Sequence, residues 1–269
     1  MERRVERLQE TSRWSGVSQD YEIFQTSRAG LLTNVPAFDL GLGLSVRPAF
    51  TTGGERPSPD DVTSRTGDIS LDVTQKLGAN LLGSLTVNTD FAETEVDARQ
   101  TNLTRFEILF PEKRTFFLEG ADIFEFGYEL DDVMIPFFSR RIGLDEDGER
   151  IPINAGTKLN GRVGNTNLGA LVVNTSHAVG VDTGTATMGV ARIKQNILSE
   201  SSIGVITSFG DQLGRPNSWM SGADFAFQTS HFLGDKNLNA SVWGVRNNRE
   251  GLEGDRGAYG LGFDYPNDL

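Results

Sequence analysis

The run NAGTKLNGRVGNTNLGALVVNTS, residues 154–176, decides the fold class. Ala155, Thr157, Leu159 and Val163 point to one side of an extended chain, and Asn154, Lys158, Asn160 and Arg162 to the other. That alternation is the period of a strand with two unlike faces. Gly164-Asn165-Thr166-Asn167 then supplies a turn, because Gly and Asn accept positive φ at low cost. Leu168, Ala170 and Val172 resume the apolar face. The stretch predicts a long antiparallel hairpin with polar groups on its second face.

The same unit recurs on both sides. Ile69, Leu71 and Val73 alternate, a turn falls at Lys76-Leu77-Gly78, and Leu81, Leu85 and Val87 share a face opposite Asn80, Ser84, Thr86 and Asn88. Further pairs are expected at 187–195 with 201–210 and at 219–232 with 236–247, followed by a last run at 257–265. There Tyr259, Leu261, Phe263 and Tyr265 alternate with Gly260, Gly262 and Asp264. About ten strands follow from this, most of them longer than the roughly 5 to 6 residues usual in globular sheets and close to the roughly 9 to 11 that cross a membrane at a tilt. The predicted fold class is all-β: an antiparallel up-and-down meander, part of an outer-membrane-type β-barrel. A soluble β-sandwich or a twisted meander produces the same alternation.

Composition narrows the classes of function. The 269 residues carry 25 Lys+Arg against 37 Asp+Glu, a formal net charge of −12, which opposes nucleic-acid binding and a polybasic grip on anionic lipid. The absence of Cys removes disulfides, thiolate metal sites and Cys nucleophiles. His177 and His231 are too few for a multi-histidine metal site and read as loop or interface residues. No apolar run is long enough for a transmembrane helix. MERRVERLQE carries charge with no apolar run behind it, so a signal peptide is absent from the start of this sequence. Trp14, Trp219, Trp243, Tyr259 and Tyr265 are candidates for an interfacial aromatic girdle.

Residues 92–150 interrupt the alternation and are too long for a hairpin loop. Phe106, Phe110, Phe116, Phe117, Phe124, Phe126, Phe137 and Phe138 lie within them, close to half of the chain's 17 Phe. So much apolar area must dock on something. The expectation is an inserted plug-like segment, folded into a lumen or over one mouth. Its basic groups Lys113, Arg114, Arg140 and Arg141 are expected to lock onto Glu112, Glu119 or nearby Asp, since charges beside docked apolar anchors are usually paired. A surface for an oligosaccharide or another polar ligand is the alternative.

These residues also carry a resemblance. The motifs are Val87-Asn88-Thr89-Asp90-Phe91, the acidic patch from Glu93 through Glu95 to Asp97, Asn102-Leu103-Thr104-Arg105-Phe106-Glu107, Phe110-Pro111-Glu112-Lys113-Arg114-Thr115-Phe116-Phe117-Leu118-Glu119-Gly120 and Phe137-Phe138-Ser139-Arg140-Arg141-Ile142-Gly143. Together they resemble a bacterial domain-of-unknown-function family whose members look like outer-membrane β-barrels, usually downstream of a family-9-type carbohydrate-binding domain. Thr89 and Thr115 stand where that family usually has Pro.

The resemblance covers roughly residues 20–269. It implies that 1–20 are the tail of an upstream domain or linker, that 21–269 are a partial barrel, and that both ends are truncated. It further implies a bacterial outer-membrane location, reached through a signal peptide missing from this sequence, with outer-membrane lipid and possibly carbohydrate as partners. The binding and structural motif would be Asp90, Glu95, Asn102, Arg105, Glu112, Lys113, Arg114, Phe116, Phe117, Glu119, Ser139, Arg140 and Arg141. The implied function is binding or uptake of a polar, glycan-related solute.

Enzymatic signatures are sparse. Glu93, Glu95 and Asp97, or Glu119 and Asp122, could supply the carboxylate pair of a glycosidase, but acidic pairs are common in so acidic a chain. Asp90 to Asp97 could offer oxygen ligands to calcium but lack EF-hand spacing, and Asp145 to Glu149 reads as a solvated turn. No Gly-x-Ser-x-Gly, P-loop or HExxH motif occurs. Gly41-Leu42-Gly43 reads as a strand glycine pattern, not a dinucleotide fingerprint. No catalytic residues, metal or cofactor are expected. A soluble carbohydrate-binding β-protein and a glycoside hydrolase are the alternatives.

Overall fold

A computed structural model of the chain describes residues 2–5, 10–13, 42–55, 64–89, 109–128, 130, 134–144, 151–176 and 185–267. The chain divides into two compact units, residues 1–41 and 42–269. In the first, β1 (Glu2–Val5) and β2 (Glu10–Arg13) pair antiparallel, with Glu2 opposite Arg13.

The second unit is an antiparallel meander. Its strands are β3 (Leu44–Glu55), β4 (Ser64–Lys76), β5 (Leu81–Thr89), β6 (Ile153–Val163), β7 (Thr166–Thr175), β8 (Ala186–Ile197), β9 (Ser201–Phe209), β10 (Trp219–Phe232), β11 (Lys236–Asn248) and β12 (Gly257–Asp264). They form one open 10-stranded sheet in which each strand pairs with its sequence neighbours, so β3 and β12 are the edges. Every predicted run falls on one of these strands, with 201–210 and 257–265 each reaching one residue past its end. β4 extends well beyond 69–73, because Asp68, Ser70, Asp72 and Thr74 continue the alternation on the polar side. β3 escapes the alternation test because Pro48 and Gly53-Gly54 interrupt it. Proline is tolerated there because this is an edge strand. Leu42 and Gly43, expected inside a strand, instead precede β3. Gly43 has φ +61°, and its carbonyl accepts from the Lys76 amide at 2.9 Å, as a turn position does.

The two ends of the sheet differ. At one end the strands join through the tight turns 77–80, 164–165, 198–200 and 233–235. At the other lie the longer connections 56–63, 90–152, 176–185, 210–218 and 249–256.

The two faces differ more. Residues directly opposite in a ladder share a face, so the register sorts every strand side chain. Leu159 lies in one row with Gly83, Ala170 and Ala191, and Val172 in another with Leu85, Thr157 and Phe209. That outer face is open and apolar. On β12, Tyr259 is 87 % exposed, Leu261 82 % and Phe263 75 %. Phe50, Ile69, Ile193, Ile203 and Val205 are exposed on other strands. The inner face holds Arg47, Asp68, Asp72, Lys158, Arg162, Arg192, Lys194, Asp224 and Asp264. The face covered by other protein atoms thus mixes charged and polar groups with the apolar patch under the insert, and the face left bare is apolar.

Candidate functional site

The described part of the insert, residues 109–144 with gaps, packs on the inner face. It is nearly devoid of regular structure. There is one helical turn, α1 (Thr115–Leu118), and two 3-10 turns at Ala121–Phe124 and Ser139–Arg141. Phe116, Phe117, Phe124 and Phe126 are buried with Ile153, Leu171, Val173, Met188, Val190 and Ile206 from the strands. Phe110, Phe137 and Phe138 are half-buried, and Phe106 lies outside the described residues.

Three glycines of the inner face make room for three of these rings. A Cβ on Gly156 would stand 3.1 Å from the Phe116 ring, one on Gly169 3.0 Å from the Phe124 ring, and one on Gly222 3.1 Å from the Phe126 ring. Each ring therefore rests on bare backbone, a knob in a hole made by omitting a side chain. Phe116 and Phe117 meet edge-to-face at 5.0 Å, and Phe124 leans on Phe137 at 5.4 Å. Gly120 has φ +72°, and its missing Cβ leaves room for the Asn160 amide.

Polar anchors fix the insert between those rings. Lys158 is buried, and its Nζ donates to the carbonyl oxygens of Phe116 and Glu119, closing the orphan end of α1. Arg192 on β8 and Asp224 on β10 form a buried ion pair, with Nη2 donating to Oδ2 at 2.8 Å. Asp224 Oδ2 also accepts from the Gly127 amide at 3.3 Å, and Arg192 lies over the Phe126 ring at 5.4 Å. Tyr128 Oη accepts from Asn239 Nδ2 at 2.9 Å. Gln212 donates to the Leu144 carbonyl.

A second cluster holds the insert to itself. The Glu112 carboxylate takes Arg114 bidentately, from Nε at 2.8 Å and Nη2 at 2.7 Å, and accepts from Ser139 Oγ at 2.8 Å. Arg114 also donates to the carbonyls of Ile142 and Ser139, both at 2.7 Å, and stacks on Phe117 at 4.1 Å. Burial alone would raise the Glu112 pKa. The hydrogen bonds and charge of Arg114, with the Ser139 hydroxyl, outweigh it and hold the carboxyl below its ordinary value.

The structure thus brings Glu112, Arg114 and Ser139 into one clamp and buries Phe116 and Phe117 beside it. Lys113 is half-buried and gives its backbone amide to Glu112 at 3.0 Å. Arg140 is half-buried and Arg141 exposed, in the turn that carries Ser139. Glu119 is exposed and reaches the site through its carbonyl. Asp90, Glu95, Asn102 and Arg105 lie outside the described residues, as do Trp14, His177 and Asp145 to Glu149. His231 is exposed at the end of β10. Trp219 faces outward at the long-loop end of β10, but Trp243, expected in a girdle, faces inward. It packs on Phe126 at 6.5 Å and lies over Gly260, because its register position belongs to the inner face. Among the described residues, no group of three or more His, Cys, Asp or Glu could hold a metal ion.

The residues missed by pattern reading are Arg192, Asp224 and the three ring-bearing glycines. Strand parity alone places Arg192 and Asp224 on the polar face. That they meet depends on which strands neighbour β9, which no local pattern carries. No curated protein and no solved structure matches the chain. Residues 44–174, spanning β3 to β7 and the insert between β5 and β6, match the family model of DUF5916, a domain of unknown function.

Proposed function

We propose that residues 42–269 form part of the wall of an outer-membrane-type β-barrel, with the outer face against hydrocarbon, the inner face lining a water-filled lumen, and the insert as a plug that narrows it. The observation that carries this is the partition of side chains. In a water-soluble antiparallel sheet the covered face is apolar and the open face polar. Here the open face presents exposed large apolar side chains on all ten strands, whereas soluble monomers rarely expose contiguous apolar patches of more than a few hundred Å². Strands of 8 to 14 residues, and tight turns at one end against long connections at the other, have the proportions of such barrels.

In a bilayer the outward edges of β3 and β12 must be paired, so the folded wall includes partners for both. The function would be passage or capture of a polar solute, glycan-related in the context that the family resemblance implies. The test is fractionation of the full-length protein with boiled and unboiled gel lanes side by side. Recovery in the outer membrane with a boiling-dependent mobility shift is expected. Recovery in the soluble fraction with no shift would overturn the proposal in favour of a soluble β-protein.

A further inference from the structure

We propose that the turn-end half of the inner wall is an anion track, so that the solute passing the insert carries negative charge. This deepens the barrel reading and rests on it. Three cations occupy that half on alternate strands: Lys76 at the end of β4, Arg162 near the end of β6 and Lys194 on β8. All three lie on the inner face. Arg162 and Lys194 share one ladder row through Asn167, two strands apart, or roughly 10 Å.

Most of the other inner-face charges are already committed. Arg47 faces Asp72 at 3.7 Å, Arg192 holds Asp224, and Lys158 holds the insert. Asp224 is the carboxylate in the row of Lys194, and both of its oxygens are taken by Arg192. Lys76, Arg162 and Lys194 make no ion pair among the described residues. Arg162 gives its Nε to the Gly164 carbonyl at 2.7 Å, which ties it to the turn and leaves its charge uncompensated. Of the remaining inner-face carboxylates, Asp68 lies toward the long-loop end of β4, and Asp264, at the turn end of the edge strand β12, stands four strands from Lys194 and accepts from Asn239 Nδ2 at 3.4 Å. In a chain of net charge −12, three inner-face cations on alternate strands with no ion-pair partner among the described residues depart from the overall charge balance. Rings of Lys and Arg are how pores select anions.

The experiment is reconstitution of the full-length protein in planar bilayers under a potassium chloride gradient, in the wild type and in a Gly169→Leu variant that unseats the plug. A chloride-over-potassium permeability ratio above about 3 is expected, falling below about 1.5 in Lys76→Gln/Arg162→Gln/Lys194→Gln, because lumen substitutions tune selectivity without unfolding the wall. The triple variant should keep the boiling-dependent mobility shift. Cation selectivity, a ratio unchanged by the triple variant, or a membrane-inserted protein that conducts in neither background would overturn the anion track alone. Failure of the barrel reading is a different result: soluble protein with no mobility shift.

Discussion

Arg192 reaches over Gly204 to grip Asp224, so that a strand is bridged by a guanidinium lying on its bare backbone. A Cβ on Gly204 would stand 2.7 Å from Arg192 Nη1. Both side chains are removed from water, at 0 % and 5 % exposure. Removing one partner of such a pair strands a buried charge, at a cost of about 3–5 kcal/mol, whereas replacing both with apolar groups of similar volume is often neutral. Asp224→Ala is therefore expected to lower stability by about that amount. Arg192→Met/Asp224→Leu should lie close to the wild type. Urea unfolding followed by gel mobility measures both, and equal losses in the single and double variants would contradict the pair's assigned role.

The ring-in-hole docking of the insert predicts a variant that releases the insert and spares the sheet. In Gly169→Val the new side chain would meet Ile123 Cγ2, 2.6 Å from even a Cβ, and the Phe124 ring. The Gly169 backbone stays paired with Asn160 and Arg192. Overpacking of this kind costs about 1–3 kcal/mol, which is roughly 5- to 150-fold in the population of the undocked insert. Trypsin should then cut after Arg140 or Arg141 faster by a factor in that range, with the mobility shift retained. Cleavage at the wild-type rate would show that the glycine holes do not seat the insert.

Much of this was legible in the sequence, and what was not has a physical cause. Period-2 alternation located β4 to β12 because each strand has unlike faces, and the pairing followed because tight turns allow only antiparallel neighbours. Lys158 and Asn160 fell on the polar side by parity alone. β3 did not, since Pro48 and paired glycines blur its period. Within the insert, the Phe content demanded docking, and Glu112 and Arg114 stood out as charges beside aromatic anchors, while Ser139 came only with the motif of the resembled family. The role of the glycines was hidden, because an absent side chain signals nothing until the facing ring is known. The Arg192–Asp224 pair was hidden because its partners lie 32 residues apart with a whole strand between them.

The Glu112–Arg114 clamp predicts a pH-sensitive insert. The folded carboxyl titrates below the ordinary value of 4.5, so its contribution to docking is complete above that value. It is lost as pH falls through the lower folded pKa, because the protonated acid no longer holds the guanidinium as an ion. Proteolytic accessibility of the insert should rise only as pH falls below 4.5. Glu112→Gln should be looser at neutral pH and flat across that window. A wild type whose insert stays equally protected as pH falls below 4.5, down to the acid unfolding of the sheet, would rule the clamp out as the acid-sensitive element.

Val205 offers the sharpest discrimination between a bilayer and water on the outer face. It sits at the middle of β9, and 51 % of it is exposed. On a soluble protein, Val205→Arg at such a position changes stability by no more than about 0.5 kcal/mol, since the guanidinium extends into solvent. Against hydrocarbon, near the middle of a membrane strand, the same change costs about 2–4 kcal/mol. The inward neighbour Ser208→Arg is the control, because it adds the same charge on the polar face. If the outer face meets lipid, Val205→Arg lowers the denaturant midpoint of the reconstituted protein and Ser208→Arg does not. Equal, small effects of the two substitutions would place water on both sides of the sheet.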